Sequence, residues 1–293
     1  MYVKNQDKYP GCSRIRVKLD SGVSVLKYND GHTEIKPGDT VFRNLVNGDM
    51  VMFNRTPTLY TTSISAHKVK VYDEESKIRH GAINPGACNH YNADFDGDAM
   101  MGKIVNLEGP REEMRYTLSI DRFVTRYENG ELMPGPIQDS AVGIALLTTH
   151  GRLFSLCETM HMVSGLPINV KLENRTYTGR EIFSMVMPSI NYEADSFMFK
   201  NSNIKKYGNY HESDYRVVIK NGKLLSGIVC SKAIKGKMGG LYHIIAAAFG
   251  NKTALDTIFY HQQITLRFND MRGVSLTYGD IRVSADTRKM IDI

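Results

Sequence analysis

Hydrophobic and polar positions alternate in short stretches through the first hundred residues. Ile15, Val17 and Leu19 alternate with Arg16 and Lys18, a period of two that predicts a half-buried strand. Ser21-Gly22 turns the chain into a second strand, Val23 to Tyr28, and Asn29-Asp30-Gly31 turns it again. Met50 to Phe53 is a continuous apolar run ended by Pro57, and from Ile64 to Val71 the residues Ala66, Lys68 and Lys70 oppose His67, Val69 and Val71. Many short strands punctuated by Gly and Asn predict a barrel or a sandwich.

Near Gly109 the period lengthens. Pro110 at the first position of a predicted helix, with Glu112 and Glu113 in the first turn, suits the positive end of a helix dipole. A second helix is expected from Gln138 to Thr149, with Val142, Ala145 and Leu146 on one face. Thr178-Gly179-Arg180-Glu181 has the Thr-x-x-Glu form of a capping box ahead of Ile182, Phe183 and Met185, and Pro188 stops that helix. Asn221-Gly222, between Tyr215 to Ile219 and Leu224 to Val229, predicts a hairpin. Helices follow from Leu241 to Phe249, stopped by Gly250, and from Thr253 to about Asn269. The pattern divides the chain into 1–108 and 109–293, a mixed α+β protein.

Composition sets bounds on this reading. A chain of 293 residues at 42% apolar content fills one or two ordinary cores. The net charge of +6 is uneven, since residues 201–293 carry 14 basic against 7 acidic side chains. Lys232, Lys235 and Lys237 surround Gly236, either as a basic loop facing phosphates or as a solvated one. Modest positive charge predicts weak, salt-sensitive nucleic-acid binding, because each neutralised phosphate releases counterions. Cys12, Cys88, Cys157 and Cys230 form no Cys-x-x-Cys, which argues against a structural zinc and a disulfide scaffold. Cys157 and His161 share a helical face, but two ligands do not make a site. No apolar run approaches the ~18 residues of a membrane span and the polar start lacks a signal-peptide core, so an intracellular protein with no membrane partner is expected.

The candidate chemistry is concentrated in Asn92-Ala93-Asp94-Phe95-Asp96-Gly97-Asp98. Three like charges at alternate positions repel one another unless a cation offsets them. A hard ion such as Mg²⁺, which takes carboxylates together with waters and phosphates, would do so; a solvated acidic turn is the bland alternative. The spacing is not that of an EF-hand, whose glycine and glutamate positions, counted from Asp94, hold Ala99 and Val105. Phe95, Ala93, Ala99, Met100 and Met101 around the cluster suggest a polar loop held by apolar anchors.

Tyr91 to Asp98 resembles the signature of the largest subunit of multisubunit DNA-directed RNA polymerases. Asp49-Met50-Val51-Met52-Phe53-Asn54-Arg55-Thr56-Pro57-Thr58-Leu59-Tyr60 is similar to that family's Gly-Asp-x-Val strand and its Asn-Arg-Gln-Pro-Thr-Leu-His segment. Tyr9-Pro10-Gly11, Gly135-Pro136-Ile137-Gln138-Asp139, Asn221-Gly222, Leu224 to Gly227, Gly239 to His243 and Gly279-Asp280-Ile281 follow the family's order downstream, so the resemblance covers nearly the whole chain. Departures are Thr56 where glutamine is usual, Tyr60 for histidine, Ala99 for glutamate and Met101 for asparagine. They suggest a divergent lineage, such as a large DNA virus with a eukaryote-like enzyme.

The resemblance implies a double-psi β-barrel active-site domain followed by an α+β pore domain. It implies nucleotidyl transfer to the RNA 3′ end by two metal ions, with one Mg²⁺ held by Asp94, Asp96 and Asp98 and the second brought by the nucleoside triphosphate. Gly97 would let the carboxylates converge, Arg55 and Asn92 would read the ribose hydroxyls, and Pro57 would turn the chain after the Asn-Arg pair. The implied partners are the second-largest subunit, the remaining largest-subunit segments (clamp, bridge helix and trigger loop), template DNA and the transcript. The setting is then the nucleus or cytoplasm, or the host cytoplasm or virion if viral. Because 293 residues are too few for a whole largest subunit, a fragment or a subunit encoded in pieces is expected, inactive alone. Two rivals remain: an RNA-silencing RNA-dependent RNA polymerase, which has a similar Asp-x-Asp-Gly-Asp loop on a barrel, and a non-catalytic metal-binding barrel module.

Overall fold

The computed structural model describes residues 12–19, 21–28, 32, 35–72, 77, 80–166, 171–196, 199, 210–234, 238–275 and 277–282. The Asn29-Asp30-Gly31 turn and the loop at Lys235 to Lys237 lie outside them. The chain divides into two compact units, one of residues 1–82 and 96–120, the other of residues 83–95 and 121–293. The expected mixed α+β class is what the structure has.

In the first unit, β1 (Cys12–Lys18), β2 (Ser24–Tyr28) and β3 (Thr40–Arg43) form an antiparallel sheet in the order β2-β1-β3. The alternation read from the sequence becomes two faces. Ile15 is fully buried and Val17 half-buried on one face, while Arg14 and Arg16 are exposed on the other. A second antiparallel sheet has the order β5-β4-β6, from β4 (Met50–Asn54), β5 (Ile64–Lys68) and β6 (Met101–Ile104). Its small core is Met50, Ala66 and Met114, the last supplied by the turns that follow a helix at Glu108–Glu113. That helix begins two residues before Pro110. Among the described residues these strands form two separate sheets, and no barrel closes across them.

The second unit holds the larger core. It contains α1 (Cys88–Tyr91), α2 (Asp139–Thr148), α3 (Leu156–Val163), α4 (Gly179–Ser184), α5 (Leu241–Phe249) and α6 (Asn251–Arg272). Its strands are β7 (Leu153–Phe154) with β8 (Tyr177–Thr178), and β9 (Tyr192–Asp195), β10 (Arg216–Lys220) and β11 (Lys223–Ser226) in the order β11-β10-β9. The capping box at Thr178 forms: its hydroxyl accepts from the Glu181 N–H, and the Glu181 carboxylate accepts from the Thr178 N–H. A matching box of the same Ser-x-x-Glu form, at Ser155 and Glu158, starts α3. Asn221 and Gly222, both at positive φ, make the hairpin turn between β10 and β11 as expected. Ile144, Leu147, Ile182, Phe183, Ile219 and Ile264 are buried in the core.

Helix α2 lies on α6 where Gly143 leaves no Cβ; one there would stand 2.9 Å from Thr265 Cβ and from Asn269 Oδ1. His261 of α6 is wholly buried, stacked at 4.0 Å on the Phe183 ring. Its Nε2 lies 2.9 Å from the Phe183 carbonyl, which can only accept, so Nε2 carries the proton and Nδ1 accepts from the Tyr242 hydroxyl at 2.8 Å. Burial lowers the His261 pKa from 6.5 to about 4. No helix among the described residues is long and apolar enough to cross a membrane.

Candidate metal centre

The acidic loop hangs from a buried support. The Asn84 side chain accepts from the Gly86 N–H, capping a turn that starts at Pro85 and runs into α1. Within α1, Cys88, His90 and Tyr91 are buried, and His90 Nε2 lies 2.9 Å from the Phe123 carbonyl oxygen. Burial, with the Asp94 charge adding to it, pushes the Cys88 thiol pKa up and keeps it protonated. Asn92 ends α1 in the left-handed region, at φ 47° and ψ 43°, a conformation that asparagine tolerates better than most residues.

From Ala93 onward the chain is a loop of turns rather than a strand. Asp94 and Asp96 are exposed and Asp98 is half-buried, yet one carboxylate oxygen from each lies within 4.8 Å of the other two. The bend falls at Gly97, whose φ of 115° a side chain would resist. The expected apolar anchors are a correction. Phe95 is 63% exposed and Met101 58% exposed, so neither holds the loop down. Tyr91 before the loop is buried, and Asp98 at its end is ion-paired.

That ion pair involves Arg55. Register in the β4–β6 ladder sets Asn54 opposite Met101, so the residue after Asn54 comes within reach of the residues before Met101. Arg55 Nε donates to Asp98 Oδ2 and its Nη2 to Asp98 Oδ1, both at 2.7 Å, with each side chain 18% exposed. The bidentate fork supplies part of the positive charge that three adjacent carboxylates require. The peptide bond between Thr56 and Pro57 that follows is cis. Sequence reasoning placed Arg55 at a sugar and missed this partner; the parity of two distant segments shows only once the strands are paired.

Asn92 lines a cavity of about 520 Å³ in the second unit, together with Asn89, Arg126, Gln138 and Ser231. Asn89 Nδ2 donates to the Met133 carbonyl at 3.2 Å. Gln138, at the start of α2, has φ 48° and ψ −124°, a conformation disfavoured for any residue but glycine.

The three oxygens suit a hard divalent cation. Mg²⁺ holds oxygens octahedrally at about 2.0–2.1 Å, so adjacent ligands stand about 2.9 Å apart and opposed ones about 4.2 Å, and carboxylate oxygens within 4.8 Å of one another have to draw together to share one ion. Pairing with Arg55 leaves a second lone pair on each Asp98 oxygen.

Comparison with known proteins matches residues 1–120 to the family model described as RNA polymerase Rpb1, domain 2, and residues 124–281 to RNA polymerase Rpb1, domain 3. The DNA-directed RNA polymerase RPB1 homolog of African swine fever virus is 28% identical over 99% of this chain and 21% of its own length. DNA-directed RNA polymerase subunit Rpo1N of Methanothermobacter thermautotrophicus is 29% identical over 99% of this chain and 33% of its own. DNA-directed RNA polymerase III subunit RPC1 of Homo sapiens is 28% identical over 93% of this chain and 21% of its own. The chain thus spans between a fifth and a third of the length of these relatives.

Proposed function

The chain belongs to the RNA polymerase Rpb1 family, and we propose that it carries the catalytic centre of a DNA-directed RNA polymerase, with Asp94, Asp96 and Asp98 as its metal-holding residues. The observation that carries this reading is the convergence of their oxygens within 4.8 Å on one loop. Mg²⁺ bound there would supply the charge neutralisation that transfer of a nucleotidyl group to the RNA 3′ end requires. Gly97 sets the bend that brings the carboxylates together. Arg55 holds the Asp98 carboxylate in one orientation and, in this reading, also donates to the ribose of the incoming nucleotide. Asn92, with an amide that both donates and accepts, reads the same sugar, where the 2′-hydroxyl separates RNA precursors from DNA precursors.

The wider assignments belong to the same proposal. Residues 1–108 form the active-site domain, completed as a double-psi β-barrel, and residues 109–293 form the connecting helix and pore domain. The second-largest subunit, the remaining largest-subunit segments, template DNA, transcript and nucleoside triphosphates complete the centre, so the chain is inactive alone. The experiment is reconstitution with those subunits and an Asp96→Ala chain. Assembly should be intact and elongation abolished; a mutant that extends RNA at the normal rate would remove the assignment.

A further inference from the structure

Helix α3 buries one side and bares the other. Thr159 and Met162 are fully buried beneath it, and Leu156 and Val163 pack half-buried against the core. The exposed side consists of Cys157, Met160 and His161, with Ser164 one turn further on. The solvent face of a surface helix ordinarily carries charge, and this one has no Asp, Glu, Lys or Arg. Glu158, the only acid of the helix, is half-buried beside it, held by the capping box at Ser155 and by Arg272 at 3.5 Å. Cys157 is a free thiol and Met160 is 54% exposed. Among the described residues no hydrogen bond or ion pair engages the Cys157 thiol or the His161 ring. Both ends of the helix are fixed. The capping box holds the first turn, and Arg267 Nη1 donates to the Met162 carbonyl at 3.1 Å and to the Ser164 carbonyl beyond the last turn.

The Cys157 and His161 pair thus gains a third donor in Met160. Residues three and four apart on a helix stand about 5–6 Å apart at Cβ, so Met160 and His161 flank Cys157 on the following turn. Long helical side chains lean toward the N-terminus and cover the turn before their own Cα, which carries the thioether and the imidazole back over the Cys157 sulfur. A thiolate, a thioether and an imidazole are the donors that soft cations select, and with no carboxylate among them they suit no hard ion. From this we infer that Cys157, Met160 and His161 form a three-coordinate site for a soft monovalent cation, Cu(I). Bonds of about 2.0 Å to nitrogen and about 2.3 Å to sulfur would set the three donor atoms of a trigonal ion roughly 3.7 to 4.0 Å apart, a spacing these side chains reach by rotation alone. Zinc fits less well, because a structural zinc takes four ligands from Cys, His and carboxylates. Binding exchanges one ion for another: a copper–sulfur bond forms, the S–H bond breaks, the proton leaves to solvent and no oxidation state changes. Affinity therefore falls as pH drops, since both thiol and imidazole bind metal only when deprotonated. None of the three residues belongs to the aspartate loop, so the site stands or falls independently of it.

The test is anaerobic titration of the full 293-residue chain with Cu(I), kept reduced by ascorbate, against the chromogenic chelator bicinchoninate. The wild type should hold one equivalent more than Cys157→Ser. Met160→Leu and His161→Gln should each weaken that equivalent by at least about tenfold, the smallest loss typical when even a supporting residue of a metal site is removed. Met238→Leu, which alters another exposed methionine, is the control and should change nothing. X-ray absorption at the copper edge supplies a second readout: two sulfurs and one nitrogen around copper in the wild type, and one sulfur fewer in Met160→Leu. All variants alter exposed side chains, and circular dichroism checks that they fold. Three outcomes would overturn the site: a Cys157→Ser chain that holds as much copper as the wild type; unchanged affinity in Met160→Leu or His161→Gln, which would leave two donors and no site; or a loss matched by Met238→Leu, which would mean adventitious binding only.

Discussion

Stability should fall in mild acid through one buried imidazole. His261 has an ordinary pKa of 6.5 in the unfolded chain and about 4 in the folded one, because burial disfavours its charged form. Above pH 6.5 the ring is neutral in both states and adds no slope. As pH falls from 6.5 toward 4, the unfolded chain takes up a proton that the folded chain refuses, so unfolding becomes easier. At about 1.36 kcal/mol per pKa unit the full loss is about 3 kcal/mol, reached below pH 4, and about 2 kcal/mol of it is already gone at pH 5. His261→Gln removes the titration, while its amide can donate to the Phe183 carbonyl and accept from the Tyr242 hydroxyl. Urea unfolding of both proteins at about pH 7.5 and pH 5 reads the difference. The wild type should lose about 2 kcal/mol more than the variant between those conditions; equal losses would refute the reasoning. Working at pH 5 keeps Glu158 and Glu181, whose pKa values lie below the ordinary carboxylate value of 4.5, ionised in the folded chain.

Three further outcomes follow from particular contacts. Arg55→Gln should tighten Mn²⁺ binding by the isolated chain, since unit charges about 4 Å apart interact by about 1 to 4 kcal/mol at effective dielectric constants of 80 to 20; calorimetric titration showing no change would mean that the guanidinium does not compete with a cation. Gly179→Ala should cost on the order of 4 kcal/mol or prevent folding, because its Cβ would fall 1.9 Å from the Leu147 carbonyl oxygen, and a normal denaturation midpoint would contradict that packing. Asp214 is buried and accepts from Arg180 Nη2 at 2.7 Å and from the His150 and His211 N–H groups at 3.0 and 3.1 Å, so Asp214→Ala should cost about 3–5 kcal/mol by stranding the arginine. The double change Arg180→Met, Asp214→Leu should be milder than Asp214→Ala, and a worse double variant would show that the backbone contacts matter more than the pair.

Local signals were legible wherever one short segment contained all its own partners. The capping box at Thr178 needs only Glu181, the hairpin only Asn221-Gly222, and the end of α5 only Gly250, and each is where the residues put it. The three aspartates belong to the same group, since five consecutive residues with a glycine at the bend bring their own oxygens together. Strands β3, β6 and β9 escaped notice because each is only four residues long and its partners are distant in sequence. Phe95 and Met101 misled for a related reason: hydrophobicity marks what can be buried, and whether a neighbouring segment covers it is settled elsewhere in the chain.

Chain order alone therefore determined the acidic loop, the alternation of β1 and the family to which the protein belongs. Tertiary structure decided which charge answers Asp98, which face of β1 meets solvent beside Tyr28 and Phe42, and how His261 came to be sealed between Phe183 and Tyr242. The physical reason is range. Backbone preferences and side-chain repulsion act within a few residues and can be read in order, whereas ion pairs, ring stacking and burial depend on distances between segments, which exist only after the chain has folded.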